Sequence, residues 1–186
     1  MSEFSESYHL KNGSIEEAIH LIKQTSQAGY VGKLCDTWVT LVPESAMCGY
    51  RYDQSLIGYN RGIILHYVFP EDHGFMFRLF QENRLICEYA VDINGGDFAA
   101  EKDLRAFNGA AFLELTGTAL SAAELETLLQ PKTWEEYSAL PGKLMASLGI
   151  PGKAYEWLSY HYCECNKEDN PEVSKNFVKI IEANAP

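Results

Sequence analysis

Residues 62–91 read GIILHYVF (Gly62–Phe69), PEDHG (Pro70–Gly74), FMFRLF (Phe75–Phe80), QEN (Gln81–Asn83) and RLICEYAV (Arg84–Val91). Three runs rich in β-branched and aromatic residues, parted by short turn-forming segments, predict an antiparallel meander. Parity then assigns the faces. Ile63, Leu65, Tyr67 and Phe69 share one side, as do Phe75, Phe77 and Leu79, and as do Leu85, Cys87, Tyr89 and Val91. Both connections hold an odd number of residues, so odd positions oppose odd positions and all three apolar sets fall on one face. His66, Arg78 and Glu88 line up on the other.

Ahead of the meander, Ser14 and Glu17 form a capping-box pattern. Ile15, Ala18, Ile19 and Ile22 follow at helical spacing, and Gly29 stands at a C′ position, so a helix is predicted over Ile15–Ala28. Its apolar stripe is expected to cover the meander, burying Leu65, Phe77, Leu79 and Cys87. Tyr30–Val42 is β-prone, one bent strand or two short ones, and Pro43 stops it. Asp53–Ile57 offers a helical turn.

Beyond the glycine pair at Gly95–Gly96 the character turns helical. Ala99–Phe107 is one candidate helix, and Ser121–Glu124, a second capping box, opens another that runs to Gln130. Two further segments divide at Leu140-Pro141, and Gly149 caps the last. Trp157–Cys165 reads as a returning strand, and Asn170-Pro171-Glu172 as the start of a final helix with Phe177, Val178 and Ile181 on its apolar side. The fold class expected is a single α+β domain over residues 1–186, with a sheet-rich half (1–97) and a mostly helical half (98–186).

The order of a Trp-bearing strand, a hairpin ending in RLICEY, the Gly-Gly-Asp segment Gly95–Asp97, helices, LGIP (Leu148–Pro151) and SYHY (Ser159–Tyr162) resembles a family of uncharacterised bacterial proteins. Asn83 stands where such a hairpin turn often carries glycine. The resemblance implies the fold order and supplies no activity.

The chain carries 26 acids and 15 bases, a net charge of −11. The deficit is spread evenly, with −3 over residues 1–60, −3 over 61–110 and −5 over 111–186. No segment is basic, which argues against nucleic acid or an anionic membrane as partner and is compatible with a basic protein. MSEFSESYHLKNG has neither the basic nor the apolar region of a secretory signal. Five cysteines without a small-scaffold pattern read as thiols in a cytoplasmic protein.

Motifs for nucleotide binding, nucleophile-elbow hydrolysis, HExxH zinc chemistry and dinucleotide binding are absent from the sequence, so no catalytic residue and no cofactor is assigned. His161, Cys163 and Cys165 would share one face of a strand. Steps of ~7 Å would set the first and third ~13 Å apart, too far for one tetrahedral ion, so no metal site is assigned and no stoichiometric zinc is expected. Glu71, Asp72 and His73 sit together at a hairpin tip, where a polar turn explains them with Gly74 at positive φ.

Two function classes stay open. One is a non-catalytic binding protein, of the toxin-neutralising or regulatory kind, meeting a basic partner through exposed acids (Asp36, Glu71, Asp72) with His73 beside them and an aromatic anchor, Trp38 or Tyr52. The other is an enzyme with a cleft between the sheet and the C-terminal helices. A pocket with converging titratable groups separates the second from the first.

Overall fold

A computed structural model describes residues 4–71, 73–93, 100–104, 106–165 and 175–181. The chain is α+β. One antiparallel sheet of eight strands runs in the order β7-β6-β5-β4-β1-β3-β2-β8. The strands are β1 (Phe4–Lys11), β2 (Gly29–Gly32), β3 (Trp38–Pro43), β4 (Ile63–Pro70), β5 (Gly74–Gln81), β6 (Arg84–Ile93), β7 (Ala100–Asp103) and β8 (Phe177–Ile180). The helices are α1 (Ile15–Gln24), α2 (Gln54–Tyr59), α3 (Gly109–Thr116), α4 (Ala122–Leu128), α5 (Trp134–Ser147) and α6 (Tyr160–Cys165).

The meander forms as its parity requires. Leu65 pairs Leu79 and Tyr67 pairs Phe77, while Leu79 pairs Cys87 and Phe77 pairs Tyr89. The second connection reaches that register by another route. Gln81 pairs Arg84 directly across a two-residue turn, Glu82-Asn83, and the register then shifts so that Phe80 meets Leu85 while Leu79 meets Cys87. Ile86 is therefore a bulge residue. Two turn residues plus one bulge residue restore the parity of a three-residue loop. Leu85, on the turn side of the bulge, is thrown off the apolar face and stands exposed. The positive φ of the turn falls on Glu82 rather than Asn83. At the first connection Gly74 does what its position demands: φ is 155°, and a Cβ there would lie 2.4 Å from the Val91 carbonyl oxygen.

β1 lies outside every element read from the sequence, yet it is central, paired to β3 on one side and β4 on the other. Its insertion gives the sheet two buried faces. On one, Leu65, Tyr67, Phe77, Leu79, Cys87 and Tyr89 pack against Phe112 of α3, Leu125 of α4 and Tyr137, Leu140 and Leu144 of α5. On the other, Tyr8, Leu10, Val39, Leu41, Ile64 and Phe80 pack against Ala18, Leu21 and Ile22 of α1 and Leu56 and Ile57 of α2. Helix α1 thus covers the face opposite to the one expected. The cause is β1: following it directly, α1 crosses the side where Tyr8 and Leu10 point, and the meander's apolar set is left for the later helices.

Five further expectations are corrected. Helix α1 ends at Gln24 with Thr25 as C-cap, and Gly29 opens β2 instead of capping the helix. Residues 100–103, read as helical, form β7 on β6. Pro141 does not divide a helix: α5 runs through it, because Tyr137, Leu140, Leu144 and Met145 on both sides of the proline bury against one core. Trp157–Cys165 is not a strand, since α6 begins at Tyr160 where Ser159 Oγ accepts from the Tyr162 amide. Residues 177–180 are strand β8 rather than helix, held by β2. The Gly95–Asp97 segment and the Asn170-Pro171-Glu172 cap lie outside the described residues.

Phe77 is fully buried among Tyr89, Phe75, Phe107 and Phe112, with ring centroids 5.3–6.0 Å away. Phe77→Ala is expected to cost about 3–5 kcal/mol in urea unfolding. A loss below ~1 kcal/mol would mean that this face is not the core.

Candidate functional site

The cross-strand row His66–Arg78–Glu88 acquires a fourth member that only β1 can supply. Val68 pairs Glu6 and His66 pairs Tyr8, so Glu6 projects onto the same face as His66. Glu6 and His66 are fully buried, with His66 Nε2 2.9 Å from Glu6 Oε1. Arg78 Nη1 stands 3.5 Å from His66 Nδ1, and Arg78 Nε donates to Glu88. One tautomer satisfies both ring contacts: Nε2–H donates to Glu6, and Nδ1 accepts from Arg78. Burial holds His66 below its ordinary pKa, with Glu6 opposing. The imidazole is therefore neutral, which that tautomer requires.

The covering layer is residues 44–60. Gly49 N–H donates to Glu6 Oε2 over 3.3 Å, and Asp53 N–H donates to the Tyr8 hydroxyl over 2.8 Å. Tyr8 stacks on His66 with centroids 4.3 Å apart, and burial followed by the Glu6 charge keeps its phenol protonated. Asp53 N-caps α2 and accepts from Gln27 and Ser45; these bonds outweigh its burial and hold its carboxyl below the usual range.

The opposite face of β1 holds a second polar row. His9 lies between Ser7 Oγ (3.0 Å from Nε2) and Thr40 Oγ1 (3.2 Å from Nδ1), all three buried. Desolvation, with His66 across the strand, pushes its pKa down to about 3. Two hydroxyls satisfy a neutral ring and provide no counter-charge for an imidazolium.

The residues expected to bind a partner are scattered. Asp36 is exposed in the connection before β3, at the Lys11 end of β1. Glu71 and His73 stand at the Phe4 end, where the His73 ring is 6.2 Å from that of Phe4. Eight strand residues separate the two ends by ~25 Å. Trp38 is 2% exposed and donates its indole N–H to the Leu148 carbonyl over 3.0 Å, so it anchors the core. Tyr52 is half-buried against Phe80 and beneath the Arg78 guanidinium. Asp72 is outside the described residues. Only Glu71 and His73 come together.

Glu6 was the residue that sequence reasoning missed. A signal existed: in FSESYHLK, Tyr8 and Leu10 alternate with Ser7 and His9, a period-2 pattern interrupted by the glutamate itself.

Grooves open at several places on the described surface. One, about 940 Å³, runs between α4 and α5 over Leu120, Leu128 and Pro131, with Glu124, Glu126 and Glu136 and the lysines Lys132 and Lys143 around it. A second, about 420 Å³, lies on the other side of α4 over Phe107, Leu113, Leu125 and Leu129. A third, about 390 Å³, lies beside α1 and Asn60–Gly62. None of the three is lined by Glu6, His66, Arg78 or Glu88. Among the described residues no three His, Cys, Asp or Glu side chains gather as metal ligands, and no helix is long and apolar enough to cross a membrane. Comparison with known proteins finds no match: no family model, no curated protein and no solved structure is similar to this chain.

Both buried histidines bind protons less well folded than unfolded. Stability is therefore full above the unfolded pKa of 6.5 and falls as pH drops below it; for His9 the loss continues toward about 3, by on the order of 1 kcal/mol per pH unit, and His66 acts in the same direction. His9→Asn is expected to flatten the slope of unfolding free energy between pH 6.5 and 4.5. An unchanged slope would show that His9 titrates normally. Glu6→Ala should cost about 1–3 kcal/mol in urea unfolding, since it leaves the buried His66 Nε2–H without its acceptor.

Proposed function

We propose that the chain is a non-catalytic binding protein that receives a basic, amphipathic segment of a protein partner on its helical layer. What supports this reading is the groove between α4 and α5, which joins an apolar floor (Leu120, Leu128, Pro131) to a margin of three glutamates (Glu124, Glu126, Glu136) and two lysines (Lys132, Lys143). Residues 109–148 hold five glutamates against two lysines, and all five glutamates are exposed. A helix with apolar residues at i, i+3 and i+4 and lysines or arginines beside them is complementary to such a groove. The charge also attracts it from a distance, which raises the association rate.

The other support is where the titratable groups went. The histidine that meets a carboxylate is sealed and already bonded on both nitrogens, so the sheet offers recognition surface around a closed interior. A toxin-neutralising or regulatory protein of the cytoplasm, acting by covering part of its partner, would have this form.

The experiment is affinity isolation from the native cell, followed by kinetics with the purified partner. Glu126→Lys and Glu135→Lys together are expected to slow association by about tenfold at low salt and to reduce its salt dependence. Leu128→Ala should act mainly on dissociation. A partner whose association ignores salt and both glutamates would sink the proposal, as would turnover of a small molecule by the isolated chain.

A further inference from the structure

We propose that His161 and Cys165 chelate one soft divalent metal ion, of the zinc class, through an imidazole nitrogen and a thiolate. The strand reading of this segment set the two residues ~13 Å apart and excluded a shared ion. The helix reverses that geometry. At i and i+4 on α6 they stand on one face, the spacing by which paired helical ligands hold zinc.

The distances fit. A tetrahedral ion bonded at ~2.1 Å to nitrogen and ~2.3 Å to sulfur needs those two atoms ~3.6 Å apart. Cys165 Sγ lies 3.5 Å from His161 Nε2 and 3.7 Å from Nδ1. A sulfur almost equidistant from both nitrogens lies off either lone pair, so chelation requires the imidazole to turn; both side chains are exposed, and the turn leaves the core undisturbed. Neither residue has another partner among the described residues. Cys163, by contrast, is buried on the inner side of the same helix, where desolvation pushes its thiol up to about 12 and keeps it a core group.

Water completes the coordination that the two side chains leave open. Binding forms the metal–nitrogen and metal–sulfur bonds, breaks the S–H bond and releases its proton to solvent. Affinity therefore rises with pH.

Titration with Co²⁺ under reducing conditions reads the site directly, through the thiolate-to-cobalt charge-transfer absorption. The wild-type chain should develop this band, and a Cys35→Ser/Cys48→Ser chain should keep it. Cys165→Ser should abolish it. His161→Ala should weaken the apparent affinity by at least about tenfold, because the second ligand then no longer binds intramolecularly. Zn²⁺ should displace the cobalt and bleach the band. Absence of the band in the wild type, its persistence in Cys165→Ser, or unchanged affinity in His161→Ala would each overturn the proposal. Both positions are exposed, so the variants fold and the readout stands apart from any test of the α4–α5 groove.

Discussion

The pairing of β1 between β3 and β4 determines most of what surrounds it. Without β1 the chain would have a meander and a separate β2–β3 hairpin, each with one edge bare and polar groups unpaired. With it, eight strands become one sheet, and the strand at the middle must live with both faces covered. Its sequence, FSESYHLK, is poorly suited to that place by composition, because Ser5, Glu6, Ser7 and His9 are all buried. Each polar side chain must find its partner inside the fold or the strand would not stay. Glu6 takes His66 and the Gly49 amide, Ser7 and Thr40 bracket His9, and Ser5 Oγ accepts from the Leu158 amide.

These bonds reach well beyond their own strand. The Glu6 carboxylate holds down the 44–60 segment, and the Glu6 and Leu158 backbones join β1 to the turn that leads into α6. Such contacts specify geometry more than they add stability, since a buried hydrogen bond recovers little more than its desolvation costs. Removing one partner is another matter. Without Glu6, the His66 Nε2–H would stay sealed under Tyr8 with no acceptor.

How much of this was legible follows from where the information lies. The meander's faces were, because parity is local and survives even the exchange of a three-residue loop for a turn plus bulge at Ile86. The capping boxes at Ser14 and Ser121 were legible too, each being complete within four residues. What failed was whatever depends on a distant neighbour. β1 carries a charge in its apolar row that only His66, sixty residues on, makes tolerable. Residues 100–103 and 177–180 have weak propensities of their own and became strands because β6 and β2 present free edges. WLSYHYCEC was misread because aromatic residues favour strands, while the Ser159 cap that starts α6 is a single hydroxyl. The scattering of Asp36, Glu71 and His73 was invisible for the same reason: sequence spacing does not say at which end of a sheet a loop emerges.

The same burial that stabilises β1 also shapes what chemistry the molecule can offer. A general acid or base must exchange protons with substrate near the working pH. His9 and His66 fail both parts of that requirement, being sealed and held in the neutral form by desolvation. A carboxylate beside an imidazole, which on a concave surface would suggest acid–base catalysis, is here a fastening between β1 and β4. Among the described residues, the ionisable groups left to solvent include the glutamates of α3–α5 and the exposed histidines 20, 73 and 161, which stand on separate elements. Charge on that surface can steer and select a partner, and one histidine stands within ligand distance of a thiol. The two proposals, recognition and metal ligation, draw on this exposed chemistry: they need complementary surface or a pair of donor atoms and make no demand on the closed interior.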